Sequence, residues 1–123
     1  MVRNSELGNL GEDIAVQALE SHGYRIHERN WRCRLGEIDI VAQDGEVWVV
    51  VEVKLRTNGR FGTPEEAVTV AKQNRLLQLG QAFAAERDLL DHYWRIDVVA
   101  ILLGKENKVQ SINILRDAVQ GYV

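Results

Sequence analysis

The sequence has one cysteine and one proline in 123 residues. Cys33 has no partner within the chain, so no disulfide framework holds the fold, and a reducing, cytoplasmic setting is the simplest expectation. A lone proline, Pro64, beside 10 glycines excludes collagen-like and proline-rich linker compositions. Apolar runs are short, Val47–Val51 being one, and none approaches the ~20 residues of a membrane-spanning helix. No membrane partner is expected, and Met1–Asn9 has no apolar stretch of the kind that marks a secretory signal. An excess of positive charge is also missing. Lys and Arg number 15 against 18 Asp and Glu, a net charge of −3, which argues against a general nucleic-acid coat but not against a local basic surface. His22, His27 and His92 lack zinc-site spacing, and there is no glycine-rich phosphate loop. Cys33 stands in no nucleophile motif.

What remains is an ordinary globular composition, 46% hydrophobic and without repeat, charge block or linker. One domain over residues 1–123 is expected, large enough to bury a core without metal or disulfide. Leu7, Leu10, Gly11, Ile14 and Ala18 recur at helical spacing, predicting a helix over Ser5–Ser21 with Asn4 or Ser5 as cap and a stop at His22-Gly23. Tyr24–Cys33 is expected to be extended. Gly36–Gln43 and Glu46–Leu55 read as strands joined by an Asp44-Gly45 hairpin turn. Arg56–Gly62 reads as a loop, free to close over a ligand. Thr63, Pro64 and Glu66 form a capping box that predicts a second helix to about Glu86, with Val68, Ala71, Leu76, Leu79 and Phe83 inward. Trp94–Leu102 and Val109–Ile114 read as further strands. The order implies an α/β mixed sheet flanked by helices.

The hairpin carries the chemistry. Side chains alternate along a strand. One face therefore collects Ile38, Ile40, Ala42, Val47, Val49, Val51 and Val53. The other collects Glu37, Asp39, Val41, Trp48, Val50, Glu52 and Lys54. A turn at Asp44-Gly45 sets Gln43 against Glu46, Glu37 against Glu52, and Asp39 diagonal to Glu52. Like charges directly opposed destabilise a sheet, so Lys54 and a hard divalent cation, Mg2+ or Mn2+, are expected among these carboxylates. A metal on Asp39 and Glu52 suits phosphodiester hydrolysis, with Lys54 orienting water or stabilising the transition state. A merely solvated sheet face is the alternative.

Asp39 followed by Glu52-Val53-Lys54 resembles the PD-(D/E)XK nuclease signature in the form used by archaeal-type Holliday junction resolvases. Further stretches resemble the YraN family of small bacterial proteins. They are Gly8–Glu12, Gly23-Tyr24, Arg29–Arg32, Gly36–Ala42, Val51–Arg56, Phe61–Val68, Lys72 and Arg95–Val99, together spanning roughly residues 8–100. The resemblance implies a restriction-endonuclease-like fold with a central mixed sheet between helices. It also implies metal binding by Asp39 and Glu52, Lys54 as the catalytic lysine, and Glu12 as an added acid from the first helix; Glu37 is a further candidate ligand. Ile38 stands where the signature's proline would be.

Arg29, Arg32, Arg34, Arg56, Arg60 and Lys72 are the candidate nucleic-acid contacts, able to meet phosphates if they surround the carboxylates; scattered solvated charges are the alternative. Gly8 and Gly11 would permit close backbone approach, and Trp31 is expected to pack rather than to stack on a base. The expected partner is DNA recognised by structure rather than by sequence, and a homodimer is expected by analogy with resolvases, which cut two strands. The rival reading is a nucleic-acid-binding or partner-binding module that keeps a nuclease fold but cuts nothing.

Overall fold

Tight turns and alternating apolar residues make strands of the middle of the chain, and helical periodicity on either side supplies the two layers that cover them. The computed structural model describes residues 4–57, 65 and 68–119. They form α1 (Asn4–Ser21), β1 (Arg25–Cys33), β2 (Gly36–Asp44), β3 (Val47–Thr57), α2 (Val70–Glu86), β4 (Trp94–Leu103) and β5 (Val109–Leu115). The sheet has five strands in the order β1-β2-β3-β4-β5. Tight turns make β1/β2 and β2/β3 antiparallel, whereas β3 and β4 run parallel because α2 carries the chain back between them. β5 closes the sheet antiparallel to β4. This is the expected α/β mixed sheet flanked by helices, an architecture consistent with a nuclease-like fold. No described helix is long and apolar enough to cross a membrane.

Each helix covers one face. Ala15 and Leu19 of α1 pack with Ile40, Ala42, Val49, Val51, Val99 and Ile101. Leu76, Leu79 and Phe83 of α2 pack with Trp31, Ile38, Val41, Val50 and Ile96. Trp31 is thus a core residue, as expected, with its indole N–H donating to Glu86 at 2.9 Å. Leu7, Leu10 and Ile14 of the expected α1 row pack against the core on that helix's side and Gly11 is buried, and Ala15 and Leu19, beside that row, are buried fully. The wider face leaves Glu12 half-buried at its edge. A Cβ on Gly11 would lie 3.2 Å from Leu55 Cδ1, so the missing side chain lets α1 approach β3 there; Gly8 has nothing within 4 Å of that position.

α2 opens later than its capping signals suggested. Val68 and Thr69 are not helical, and Thr69 is the N-cap, its Oγ1 accepting from the Lys72 N–H at 3.3 Å. The expected capping residues Thr63, Pro64 and Glu66 lie outside the described residues, as do Arg60 and most of the expected loop. Starting at Val70 sets the inward row as Leu76, Leu79, Gly80, Phe83 and Ala84 and leaves Ala71 exposed. Gly80 is needed for this packing, because the Trp94 ring fills the place a Cβ would take.

The other fixed point is charged. Asp97 on β4 has no exposed surface. Its Oδ1 accepts from Arg95 Nε and from the Asp117 N–H, both at 2.9 Å, and its Oδ2 accepts from the Tyr24 hydroxyl at 2.6 Å. Arg95 Nη2 also reaches Asp97 Oδ2 at 3.1 Å and Asp44 Oδ2 at 2.8 Å. One carboxylate thus joins the start of β1, the end of β2, β4 and the segment after β5. Burial, then the hydrogen bond to Asp97, pushes the Tyr24 hydroxyl up to about 12. The Arg95 guanidinium is held further above its usual value, chiefly by Asp97.

Removing one partner from such a network leaves a buried charge unpaired. Asp97→Ala is therefore expected to cost about 3–5 kcal/mol in urea denaturation, and a loss under 1 kcal/mol would refute the role assigned to it. Gly80→Ala is expected to destabilise by about 1–3 kcal/mol through overpacking against Trp94, although alanine favours a helix by about 1 kcal/mol. A raised denaturation midpoint for Gly80→Ala would contradict the packing.

Candidate functional site

The hairpin between β2 and β3 differs from its expected register. Asp44 pairs with Val47 and Gln43 with Trp48, so Gly45 and Glu46 form the turn. Gly45 takes the left-handed conformation (φ 62°), and Arg95 holds Asp44 within the strand at 2.8 Å. The slip amounts to two residues, so the strand faces are kept while the partners change. The last registered pair is Ile40 with Val51. One step further, Asp39 is level with Glu52, in place of the expected Glu37–Glu52 pair.

At that step the ladder stops, although both strands continue. Asp39 Oδ2 accepts the Val53 backbone N–H at 2.8 Å, so a side-chain carboxylate stands where a strand carbonyl would otherwise be. Alternation along β2 breaks at the same residue. Ile40 and Ala42 pack with α1, whereas Ile38, expected on their face, packs with α2. Across from Asp39 on β1, Asn30 lies between the pairs Arg29–Ile40 and Trp31–Ile38 and has φ 57°. Asparagine tolerates that left-handed conformation better than most residues, and the kink it makes turns both strands over.

The break gathers the acids. Carboxylate oxygens of Glu12, Glu37 and Asp39 all lie within 4.8 Å of one another. Glu12 is brought from α1 and is 12% exposed; Arg29 Nη2 at 3.3 Å and Asn30 Nδ2 at 3.1 Å both donate to its Oε1. Arg29 also holds Asp13 at 2.9 Å. Glu37 accepts from Arg32 at 3.0 Å. The Glu52 carboxylate faces Asp39, and Lys54 Nζ lies 3.6 Å from Glu52 Oε2. Burial, then the hydrogen bond and charge of Glu52, push the Asp39 carboxyl up to about 8, against the opposing pull of the Val53 N–H and Lys54. Beside these acids a groove of about 330 Å³ is lined by Glu37, Glu52, Lys72, Arg75, Leu76 and Leu79. The nearby Lys54 ammonium group lowers the pKa of Lys72. A larger cavity of about 640 Å³ between α1 and β5 holds no carboxylate.

The structure thus brings together Glu12, Glu37, Asp39, Glu52, Lys54 and Lys72. Arg32, 76% exposed, and Arg34, also exposed, stand near the β1–β2 turn. Arg56 is half-buried at the end of β3, donating to the Leu55 carbonyl at 2.9 Å. Arg29 divides its guanidinium between two carboxylates and so anchors α1. Asn30 went unnoticed in the sequence as a partner of Glu12; an asparagine amid a strand of charged and aromatic residues was the available sign. The Val53 N–H left no sign at all.

The raised Asp39 carboxyl has a definite consequence for stability. Its folded value of about 8 exceeds the ordinary 3.8, so this group's contribution is complete below about pH 4 and is lost as pH rises through 8. In chelator, the melting temperature of the wild type is expected to fall between pH 6 and pH 8.5 by about 5 °C more than that of Asp39→Asn. Parallel pH profiles for the two proteins would show that Asp39 ionises without hindrance.

The model of the "Uncharacterised protein family UPF0102" matches residues 11–101, a span that takes in all six gathered residues. A UPF0102 protein of Caldicellulosiruptor saccharolyticus is 42% identical over 113 residues, covering 92% of this chain and 96% of that protein. Another, from Geobacter metallireducens, is 49% identical over 100 residues, covering 81% and 82%. A third, from Clostridium botulinum strain Hall, is 39% identical over 118 residues, covering 95% and 96%. With the family match spanning most of its length, the chain belongs to the UPF0102 family, the YraN-like family that its motifs resemble.

Proposed function

We propose that the chain is a Mg2+- or Mn2+-dependent endonuclease that hydrolyses phosphodiester bonds in DNA, with branched or damaged duplexes as its substrates. The observation that carries this reading is the partly buried Asp39 carboxyl at the end of the β2–β3 ladder, with the Glu12, Glu37 and Glu52 carboxylates around it and Lys54 beside it. The donor set fits a hard divalent cation. Glu12, Glu37 and Asp39 offer carboxylate oxygens within 4.8 Å of one another, and such oxygens suit Mg2+ and Mn2+ over softer metals. Asp39, Glu52 and Glu12 would hold the ion, with Glu37 assisting. When bound, it supplies positive charge to the phosphate and acidifies water.

The chain's own residues supply the rest. Lys54, 16% exposed and steadied by Glu52, presents an ammonium group that orients the attacking water or meets charge developing on the phosphate. Lys72 and Arg75 stand one helical turn apart on α2 and line the groove with Glu37 and Glu52, where they suit contacts to flanking phosphates. Contacts of this kind fix position and carry no base sequence, which supports recognition by DNA structure. Arg29 and Asn30 hold Glu12 at the mouth of the site.

The test is cleavage of linear, nicked, flapped and four-way-junction DNA with Mg2+ or Mn2+, beside Asp39→Asn. Metal-dependent cutting is expected from the wild type and none from the variant, with Lys54→Ala slowed about 100-fold or more. Binding without cutting, unchanged by Asp39→Asn, would instead mark a silent module. A second measurement needs no DNA. Mg2+ at 10 mM is expected to raise the melting temperature of the wild type at pH 8 by a few degrees, about 1–2 kcal/mol for a site of millimolar affinity, and to leave Asp39→Asn unmoved.

A further inference from the structure

The β1–β2 hairpin ends in a two-residue turn, Arg34-Leu35, closed by the pair Cys33–Gly36. Short hairpin turns favour glycine, asparagine or aspartate. Here the tip carries a leucine that is 47% exposed, next to an exposed arginine. The tip is held from behind. Arg75 Nη1 on α2 donates to the Leu35 carbonyl at 3.5 Å. Gly36, at φ 141°, lies against Leu79, whose methyl groups are 3.9 Å from where a Cβ would stand. Two residues on, Glu37 belongs both to the acidic cluster and to the groove. At ~3.3 Å per strand residue, Leu35 stands about 7 Å along the chain from Glu37, about two nucleotide steps of a DNA strand.

We propose that Leu35 is a wedge that enters the base stack where a DNA duplex is interrupted by a nick, flap or branch, with Arg34 on the neighbouring phosphate. This rests on the nuclease reading and names its substrate as duplex DNA with a local break in stacking. Apolar side chains inserted between base steps unstack them at a cost, and that cost is least where the base is already poorly stacked. A single leucine on a braced tip therefore enters an interrupted stack and is turned away by a continuous one. The tip stands beside the acids, so the phosphate delivered to them is one close to the interruption.

The test reads unstacking separately from cutting. A nicked or flapped duplex carries 2-aminopurine at the interruption, and the Asp39→Asn protein is added so that no strand is cut. Fluorescence is expected to rise at least threefold, to stay at the level of free DNA with Asp39→Asn/Leu35→Ser, and to be restored with Asp39→Asn/Leu35→Met. Binding by the Leu35→Ser form is expected to weaken less than tenfold, since phosphate contacts remain. No rise with any protein, or equal rises with Ser and Leu, overturns the wedge. Cleavage by the wild type is scored apart. Leu35-dependent unstacking without any cleavage would keep the wedge and sink the nuclease, and cleavage without unstacking would do the reverse.

Discussion

A carboxylate standing in for a backbone carbonyl is the constraint on which the site depends. Asp39 accepts the Val53 N–H at 2.8 Å, and the β2–β3 ladder goes no further. Two continuing strands that no longer pair leave an opening in the sheet. Antiparallel partners stand about 5 Å apart in an intact ladder, too close for a site between them. The break needs help from both sides. Asn30, in a left-handed conformation, kinks β1 opposite Asp39. Gly11 lets α1 close on Leu55 of β3, which brings Glu12 to the opening. Arg29 then ties Glu12 and Asp13 of α1 to β1. Each of these residues acts on the site by shaping the backbone around one aspartate.

Much of this was legible in the sequence because strand parity is robust. The expected hairpin register was wrong by two residues, yet Glu52, Lys54, Val50 and Trp48 still fall on one face, since an even slip moves no side chain through the sheet. What parity could not reveal was where parity itself fails. Ile38 was assigned to the apolar face with Ile40, and it packs with α2 because alternation breaks at Asp39. The turn residue was misplaced for a tertiary reason. Asp44 has turn propensity, but Arg95, 51 residues away in sequence, draws it into the strand. The face of α1 that meets the sheet is wider than its apolar spacing implies, since Gly11 lets the helix approach closely enough to bury Ala15 and Leu19 as well. The start of α2 was read too early, from the capping signals at Thr63, Pro64 and Glu66, whereas Thr69 caps it.

The two aspartates inside the protein show how the same residue serves opposite ends. Asp97 has its carboxylate satisfied on both oxygens by Arg95, Tyr24 and the Asp117 N–H. It meets a guanidinium fork and two neutral donors, so its charge is compensated where it lies. Asp39 has one backbone donor and, facing it, another carboxylate. Lys54 pairs with Glu52 Oε2 at 3.6 Å and acts on Asp39 only through its charge. Around it Glu12 and Glu37 add more negative charge, and their own basic partners, Arg29 and Arg32, lie on the outer side in β1.

A protein can leave such a cluster in only a few states. Either a proton remains on Asp39 well above the ordinary carboxylate range, or a cation enters to compensate the charge. The first state costs stability at neutral and alkaline pH, and the second regains it while leaving a divalent ion beside a groove lined by Lys72 and Arg75. Asp97 shows that this fold can compensate a buried carboxylate fully, whereas around Asp39 it leaves surplus charge of one sign, held in place by the backbone and flanked by the opposite sign. The contrast between the two sites, more than the identity of any one residue, is what directs the functional reading to Asp39.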